Sequence, residues 1–570
     1  MIAYLSMEVG LDPAIPTYSG GLGVLAGDTL RSAADLRVPM VGISLLHRQG
    51  YFRQHLDAAG RQTESPVEWH PEQHLEALAP LVTVTIEGRP VQIRAWQFLV
   101  RGISGHTIPV YLLDTAVKDN TAWDQTLTDH LYAGDDRYRL AQEIVLGMGG
   151  VAMLQALGYA DGLHYHMNEG HSALLTIALL ERRTSPRGLQ GVTEADLDAV
   201  RSQCLFTTHT PVPAGHDKFP LSVVKNVLGP AYAAALETTR VFGDGELNMT
   251  FLALFFSHYI NGVAMRHGEV SRDMFPNYPI NAITNGVHAV TWTSAPFREL
   301  FDRYIAQWRS DNLYLRYAMD IPLHEIERTH VQVKRALLAD VAQRTGVHLD
   351  ETALTIGFAR RATPYKRADL IFTNLERLRA LSRTIGPLQI LYAGKAHPKD
   401  GEGKVMIQRI YRAAMALGDD VRVLYLEEYD MALAQQLCAG VDVWLNTPRQ
   451  PQEASGTSGM KAALNGVPSL STLDGWWIEG HIEGVTGWSI GEGQEPAGDA
   501  SSEIASLYDK LERVILPMFY GRPAAFVEVM RSTIALNGSF FNTQRMVSQY
   551  VTNAYFPAVS VSREAAETAR

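Results

Sequence analysis

The chain has 570 residues, 46% of them hydrophobic and 19% charged, which is too long for one hydrophobic core and implies two or more globular domains. Its net charge of −11 argues against a general nucleic-acid or membrane-surface binder, so any anion site must be local. Two cysteines, Cys204 and Cys438, both in apolar runs, exclude a disulfide framework beyond one bridge and leave no cysteine pair for a metal; two buried thiols are expected.

The first residues, MIAYLSMEVG, lack a basic leader and a long apolar core, so no signal peptide is expected. No apolar run reaches about 18 residues, and the expected compartment is the cytoplasm. IAYLSMEV reads as a strand, DPAIPTYSGGLG as a turn, VLAGDTLRSAADL as a helix and PMVGISLLH as a strand, a β-loop-α-β unit. Residues 82–99 predict a hairpin turning at Glu87-Gly88, and TIPVYLLDT a further strand. A long helix is predicted from about Arg137 to Leu157, then the strand of GLHYHMN, a helix over EGHSALLTIALLERR, and the strand of CLFTTHTP. The pattern resets around residues 280–290, in INAITNGVHAVTW.

From about residue 353 the alternation is regular: ALTIGFA strand, KRADLIFTNLERLRAL helix, LQILYAG strand, GKVMIQRIYRAAMAL helix, VRVLYLEE strand, MALAQQLCAG helix, VDVWLN strand, then the loop and helix around Lys461, then VPSLSTLDG. Such alternation implies an α/β fold with parallel sheets and right-handed crossovers. Ligands in such folds bind beyond the carboxyl ends of the strands, where the loops with chemically interesting residues fall here. The segment after about 540 reads as a helix with a polar end that frays.

Residues 451 to 466, PQEASGTSGMKAALNG, put Lys461 behind a run of small residues at a helix start. Small residues let backbone approach a ligand, and free N–H groups at a helix start favour an anion. A Ser/Thr N-cap on a core helix, with Lys461 toward solvent, gives the same local pattern. Only ten of the 50 basic residues are lysines, and lysine alone can form a Schiff base. The stretch is not a Walker A loop: Lys461 stands two after the glycine, and Ala462 replaces the magnesium-binding hydroxyl.

Three further segments matter. SGGLG, Ser19 to Gly23, is similar to a phosphate-cradling turn without the full G-x-G-x-x-G pattern, and a tight structural turn is the other reading. ARRATPYKRADL places Arg360, Arg361, Lys366 and Arg367 in one strand-to-helix loop, unfavourable at a helix start unless an anion sits among them. His164, His166, His171, His209 and His216 cluster in sequence without a zinc-protease pattern and read as hydrogen-bonded cleft or core residues. Asn285, in ITNGVH, is by itself an ordinary turn asparagine.

Together these segments resemble one family, the α-glucan (glycogen/starch/maltodextrin) phosphorylases, in its short bacterial and archaeal branch. EASGTSGMKAALNG resembles the family's EASGT-x-x-MK-x-x-LNG, and RRATPYKR its R-x-x-x-YKR segment; SGGLG, NEGHSALL, TTHTPVPAGH, TNGVH, GKAHP and LDGWWIEGH follow in the right order over residues 4 to 490. The resemblance implies two Rossmann-like domains facing a cleft, the GT-B arrangement. Residues 1–285 are expected as the N-terminal α/β domain, 286–545 as the C-terminal Rossmann-like domain and 546–570 as a C-terminal tail.

It also implies that Lys461 carries pyridoxal 5′-phosphate as a Schiff base, with Thr457, Ser458 and Arg360 at the cofactor phosphate, Tyr429 packed near it and Gly21 meeting the phosphates from the opposite domain. Arg361 and Lys366 would grip orthophosphate; Asn285, Glu453, Ser455, Gly456 and the His209 backbone would orient the glucosyl unit; Tyr365, His171 and Leu22 would line the same pocket. No metal, nucleic acid or membrane is expected; an α-1,4-glucan or maltooligosaccharide, orthophosphate and a second copy in a homodimer are. The implied reaction is retaining transfer of a terminal glucosyl unit to orthophosphate, giving glucose 1-phosphate. Two adjacent phosphates repel, which gives the cationic loop a physical reason.

Departures from long members include Ser458-Gly459 for Gly-Asn, Thr208 for an asparagine, Arg360 for a lysine and Thr363-Pro364 for His-Glu. The chain starts almost at its first strand, so N-terminal control in its familiar form is not expected. Two rivals stand beside this reading: a nucleotide-sugar glycosyltransferase on the same fold, needing no covalent cofactor, and a non-catalytic phosphorylase-like glucan-binding protein.

Overall fold

A computed structural model describes residues 1–556 apart from 160–161, 186, 213–214, 238, 240, 244 and 493–499; the predicted fraying end from 557 onward lies outside the described residues. It is a mixed α/β structure built on two large sheets. The first has nine strands in the spatial order Ile280–Ala282, Tyr259–Gly262, Cys204–Thr207, His164–Asn168, Ile2–Ser6, Met40–Leu45, Thr107–Asp114, Arg89–Arg101, Glu76–Ile86. Seven of these run parallel; the last two pair antiparallel, as the hairpin turning at Glu87-Gly88. The second sheet is wholly parallel, ordered Val421–Leu426, Leu388–Ala393, Leu354–Ala359, Val443–Asn446, Ser469–Thr472, Gly487–Ile490. Its central strands are buried end to end because both faces carry helices, which is why they are mostly apolar, with Thr355, Gln389 and Asn446 the buried polar exceptions.

Each sheet is wound outward from an internal pair of neighbours. In the first, the chain leaves Ile2–Ser6 toward Met40–Leu45 on one side and later resumes at His164–Asn168 on the other. In the second, Leu354–Ala359 pairs with Leu388–Ala393 on one side and Val443–Asn446 on the other. Loops leaving two such neighbours diverge and open a crevice at the strands' carboxyl ends.

Two predicted helices are corrected. KRADLIFTNLERLRAL is helical only over Leu375–Thr384; before it run two short 3₁₀ turns, because Arg367 takes a positive φ of 47° and Asn374 caps the true start through its side chain. The helix predicted from Arg137 to Leu157 runs from Asp136 to Ala156 but widens to a π-helical turn at Val145–Gly149. Residues 546–555, assigned to the tail by the sequence, continue the helix Thr543–Tyr550 and bury Met546, Tyr550 and Tyr555 against the first sheet. There His166 Nδ1 meets the Tyr555 hydroxyl at 2.8 Å and Asn261 Nδ2 donates to the Tyr550 hydroxyl at 2.9 Å. Cys204 and Cys438 are both buried free thiols.

A small hairpin, Arg53–Leu56 with Gln62–Ser65, ties the two halves together. Gln54 Nε2 donates to Gly394 O and Gln62 Nε2 to Ala396 O, at 2.9 and 2.8 Å, while Glu428 accepts the Gln54 N–H at 2.6 Å. Among the described residues, no helix is long and apolar enough to cross a membrane.

Candidate active site

Lys461 lies on the short helix Ser458–Ala463, capped by Thr457 just after Gly456, whose φ of +84° favours a residue without a Cβ, and ending before Gly466. Its side chain is not in solvent; the residue is 6% exposed. Nζ rests 3.8 Å from the centre of the Trp292 ring, with no hydrogen-bond or ion-pair partner among the described residues. Burial lowers its pKa, and the charge of Asp28 works against that shift. Asp28 accepts Trp292 Nε1–H, at the edge of that ring, at 2.7 Å. The first-turn amides of Ser458 and Gly459 have no intrahelical acceptor, and Ser458 Oγ is held inward by Trp444 Nε1–H at 3.0 Å.

The basic loop leaves the strand Leu354–Ala359, next to the strand that precedes the Lys461 helix. Arg360 Nη2 and Lys366 Nζ both donate to Glu453 Oε2, the arginine at 2.5 Å. Burial alone would raise the Glu453 carboxyl, but Arg360 and Lys366 overrule it and hold it at about 2. Lys366 is pushed down to about 7 by burial and by Arg360, against the pull of Glu453. Its Nζ also lies 4.4 Å from the Tyr365 ring centre. Glu453 therefore neutralises one of three cationic charges, and donors remain. Arg360 Nη1 is buried without an acceptor. Arg361 has no hydrogen-bond or ion-pair partner among the described residues; a Cβ built on Gly20 would lie 3.8 Å from its Nη2. That places it across from the glycine loop of the first half, ringed by Tyr51, Tyr365, Glu8 and Tyr132.

The glycine loop is organised differently from a simple phosphate cradle. Glu8, two residues past the first strand, already accepts the amides of Ser19 and Gly20, at 2.5 and 3.2 Å. Gly21 and Leu22 open the helix Gly21–Asp35, so their amides are the free ones; nothing lies within 4 Å of a Cβ built on Gly21. Tyr132 OH donates to Glu8 as well, at 3.0 Å.

The remaining predicted residues also stand at strand ends. Asn285 follows the strand Ile280–Ala282; its Oδ1 is buried and unpartnered. His209 follows Cys204–Thr207: its N–H donates to Glu169 Oε2 at 2.7 Å, its ring meets Asn168 Oδ1 at 2.7 Å, and burial pushes its pKa down to about 3. His171 is likewise pushed down to about 4 by burial, with Asp217 Oδ2 at 3.3 Å from Nε2 and Nδ1 unpartnered. Ser455 Oγ is buried without a partner, and its carbonyl accepts Trp476 N–H at 2.9 Å. Tyr429 packs among Leu437, Cys438 and Ala462, with Arg360 near its hydroxyl. The structure thus brings Arg360, Lys366 and Glu453 into direct contact, whereas Lys461 touches Trp292 instead of the cationic loop. No group of three or more His, Cys, Asp or Glu among the described residues could hold a metal.

Sequence reading missed Glu8, Asp28, Trp292 and Asp474. Asp474 accepts the Glu453 N–H at 2.8 Å and the Gly475 N–H at 2.9 Å; burial and then the Glu453 charge push it up to about 7. The signal for Glu8 and Asp28 was present, an acid set in an otherwise apolar run in SMEVG and LAGDTL. Nothing local marks Trp292, whose acceptor Asp28 lies 264 positions away; Asp474 lies in the quoted LDGWWIEGH segment but was not singled out.

A family model described as carbohydrate phosphorylase matches residues 230–486. The chain is 39% identical to a maltodextrin phosphorylase of Thermococcus litoralis, over 98% of this chain and 71% of that protein. It is 36% identical to glycogen phosphorylases of Aquifex aeolicus, over 97% and 86% of the two chains, and of Mycobacterium tuberculosis, over 99% and 72%.

Proposed function

The chain belongs to the carbohydrate phosphorylase family, and from that premise we propose that it is an α-glucan phosphorylase, a hexosyltransferase that moves a terminal α-1,4-linked glucosyl unit onto orthophosphate with retention, releasing glucose 1-phosphate. The observation that carries this reading is the surplus of cationic donors at one place: Arg361 free, Arg360 Nη1 free, and Lys366 only partly satisfied by Glu453. Arg361 is exposed, but the Arg360 Nη1 donor is buried, and leaving a buried donor uncompensated costs stability that an anion recovers.

The two sheets are read as the two Rossmann-like halves of a GT-B arrangement, with boundaries near residues 285 and 545; their parallel winding and the loops meeting at strand ends support this. The residues present suit pyridoxal 5′-phosphate. Lys461 offers a buried amine without a partner and with its pKa lowered, Thr457 and Ser458 offer first-turn backbone, and Arg360 offers a spare donor. When bound, that group supplies a second phosphate beside the substrate one, supporting proton donation to the glycosidic oxygen.

In this reading the chain's own side chains divide the work. Arg361 and Lys366 bind orthophosphate, and its charge stabilises the protonated form of Lys366 against burial. Glu453, ionised at neutral pH, accepts a glucosyl hydroxyl while keeping Arg360 and Lys366 in register. Asn285 presents a free buried carbonyl oxygen, and Ser455 a free hydroxyl, to the same sugar. Gly21 and Leu22 close the phosphate side from the first half with unpaired amides, and neutral His171 and Tyr365 exclude water. The test is incubation of the purified full chain with maltooligosaccharides of rising length and orthophosphate. Phosphate-dependent release of glucose 1-phosphate is expected; its absence from cofactor-loaded protein overturns the proposal.

A further inference from the structure

Asn285 follows a three-residue strand at the edge of the first sheet, yet much of what fixes it comes from elsewhere in the chain. Its own N–H donates to Val263 O at 2.9 Å. The hydroxyl of the preceding Thr284 donates to Glu479 Oε2 at 2.7 Å, and Glu479 Oε1 accepts the Met265 N–H at 2.9 Å. Arg545, in the helix Thr543–Tyr550, supplies the rest: Nη1 donates to Thr284 O at 2.6 Å and Nη2 to Asn285 O at 2.9 Å. The guanidinium is itself aimed by Nε–H to Phe540 O at 3.0 Å and by a second Nη1 bond to Gln549 Oε1 at 2.9 Å.

Beside this fork the two segments lock as backbone. Val287 N–H donates to Phe541 O at 3.1 Å and Thr543 N–H to Val287 O at 3.0 Å. They approach so closely that a Cβ on Gly286 would lie 2.2 Å from the Asn542 carbonyl carbon. The Thr284 and Asn285 carbonyls and the Asn285 and Val287 amides are therefore all engaged, while Oδ1 of the Asn285 side chain is buried with no partner. A side chain so left over, on so tightly held a backbone, has the form of a preorganised ligand contact.

We infer that Arg545 is a positioning residue for the glucan reaction: its planar fork fixes the Thr284–Asn285 carbonyls and so sets where the Asn285 side chain meets the glucosyl unit. The C-terminal helix is thereby part of the substrate site, not a tail behind it. The inference rests on the reading of Asn285 as a glucosyl contact. Arginine is suited to the task because its rigid fork holds two carbonyls at once, which a lysine ammonium on a flexible stem does not.

The test varies maltooligosaccharide and orthophosphate separately in steady-state kinetics of Arg545→Ala, Arg545→Lys, Asn285→Ala and the Asn285→Ala/Arg545→Ala double variant. Arg545→Ala should lower kcat/KM for the glucan about ten- to a hundred-fold with the phosphate KM changed by less than about two-fold, and lysine should recover part of the loss. The double variant should be no worse than Asn285→Ala, because both act through one contact. Additive losses, or equal losses toward both substrates, overturn the inference. If Arg545→Ala folds poorly, Arg545→Lys in the Asn285→Ala background gives the same comparison. If the wild-type chain releases no glucose 1-phosphate, the functional reading fails separately. A crystal structure of Arg545→Lys then decides the positioning role, supported by a displaced Asn285 and overturned by an unmoved one.

Discussion

The Lys461 ammonium lies against the face of Trp292, 3.8 Å from the ring centre, and the indole N–H at the ring's edge is held by Asp28. A cation on an aromatic face is stabilised by the ring's quadrupole, but far less than by a carboxylate in direct contact. The amine is thus buried without a directly bonded countercharge, and burial, against the pull of Asp28, shifts it toward its neutral, nucleophilic form.

Lys461→Ala should therefore abolish phosphorolysis, by about a thousand-fold or more, with little change in melting temperature, since no hydrogen bond or ion pair is lost. Borohydride reduction of loaded wild-type protein, followed by peptide mass mapping, should place the adduct on the peptide holding Lys461. An unmodified peptide from fully loaded protein would refute the assignment.

Arg361 and Arg360, adjacent in sequence, should behave differently. Arg361 has no partner, so Arg361→Ala should raise the phosphate KM about ten-fold or more while leaving stability unchanged in the absence of phosphate. Arg360 anchors Glu453, so Arg360→Ala should also lower the melting temperature. Calorimetry with and without phosphate distinguishes the two; equal destabilisation would contradict the geometry.

Glu453→Gln should cost about 3 kcal/mol of stability at pH 7, because two buried cations lose their shared carboxylate. The folded carboxyl is depressed from 4.5 to about 2, so its contribution is fully present above pH 4.5 and lost as pH falls through 2. The gap between wild type and variant in denaturant melts should therefore narrow steadily from pH 5 downward. A gap independent of pH would show that the carboxyl is not held low by its neighbours.

Lys366 offers a second pH signature. With its pKa down to about 7, most of the folded protein carries it neutral at pH 8, and bound phosphate favours the charged form. Phosphate binding at pH 8 should then take up more protons in wild type than in Lys366→Arg, whose guanidinium stays protonated throughout. Titration calorimetry in buffers of different ionisation enthalpy measures this; equal proton uptake would mean that Lys366 is already fully charged.

Gly456→Ala should lower both stability, by about 1 kcal/mol or more, and glucan turnover, because its φ of +84° is strained for any Cβ-bearing residue. An alanine variant with wild-type melting temperature and kinetics would show that the loop does not need that conformation.

Much of this molecule was legible in one dimension. Mostly apolar runs alternating with helical periods pointed to a parallel second sheet, though not to its strand order, because strands buried on both faces are largely apolar. The loops of Lys461, Arg360, Arg361 and Lys366 stood out because their chemistry is local: small residues, a positive-φ glycine and clustered charge lie within a few positions of one another. The tertiary structure decided what those charges face. Glu453 is shared by two cations, Asp28 reaches Trp292 from 264 positions away, and Arg545 grips Asn285 from 260 positions away. Contacts of that span depend on how two sheets and a returning helix pack, and no periodicity along the chain encodes them. Sequence alone determined which residues could do the chemistry; only folding determined which donors were left unpaired, because pairing is a property of neighbours in space.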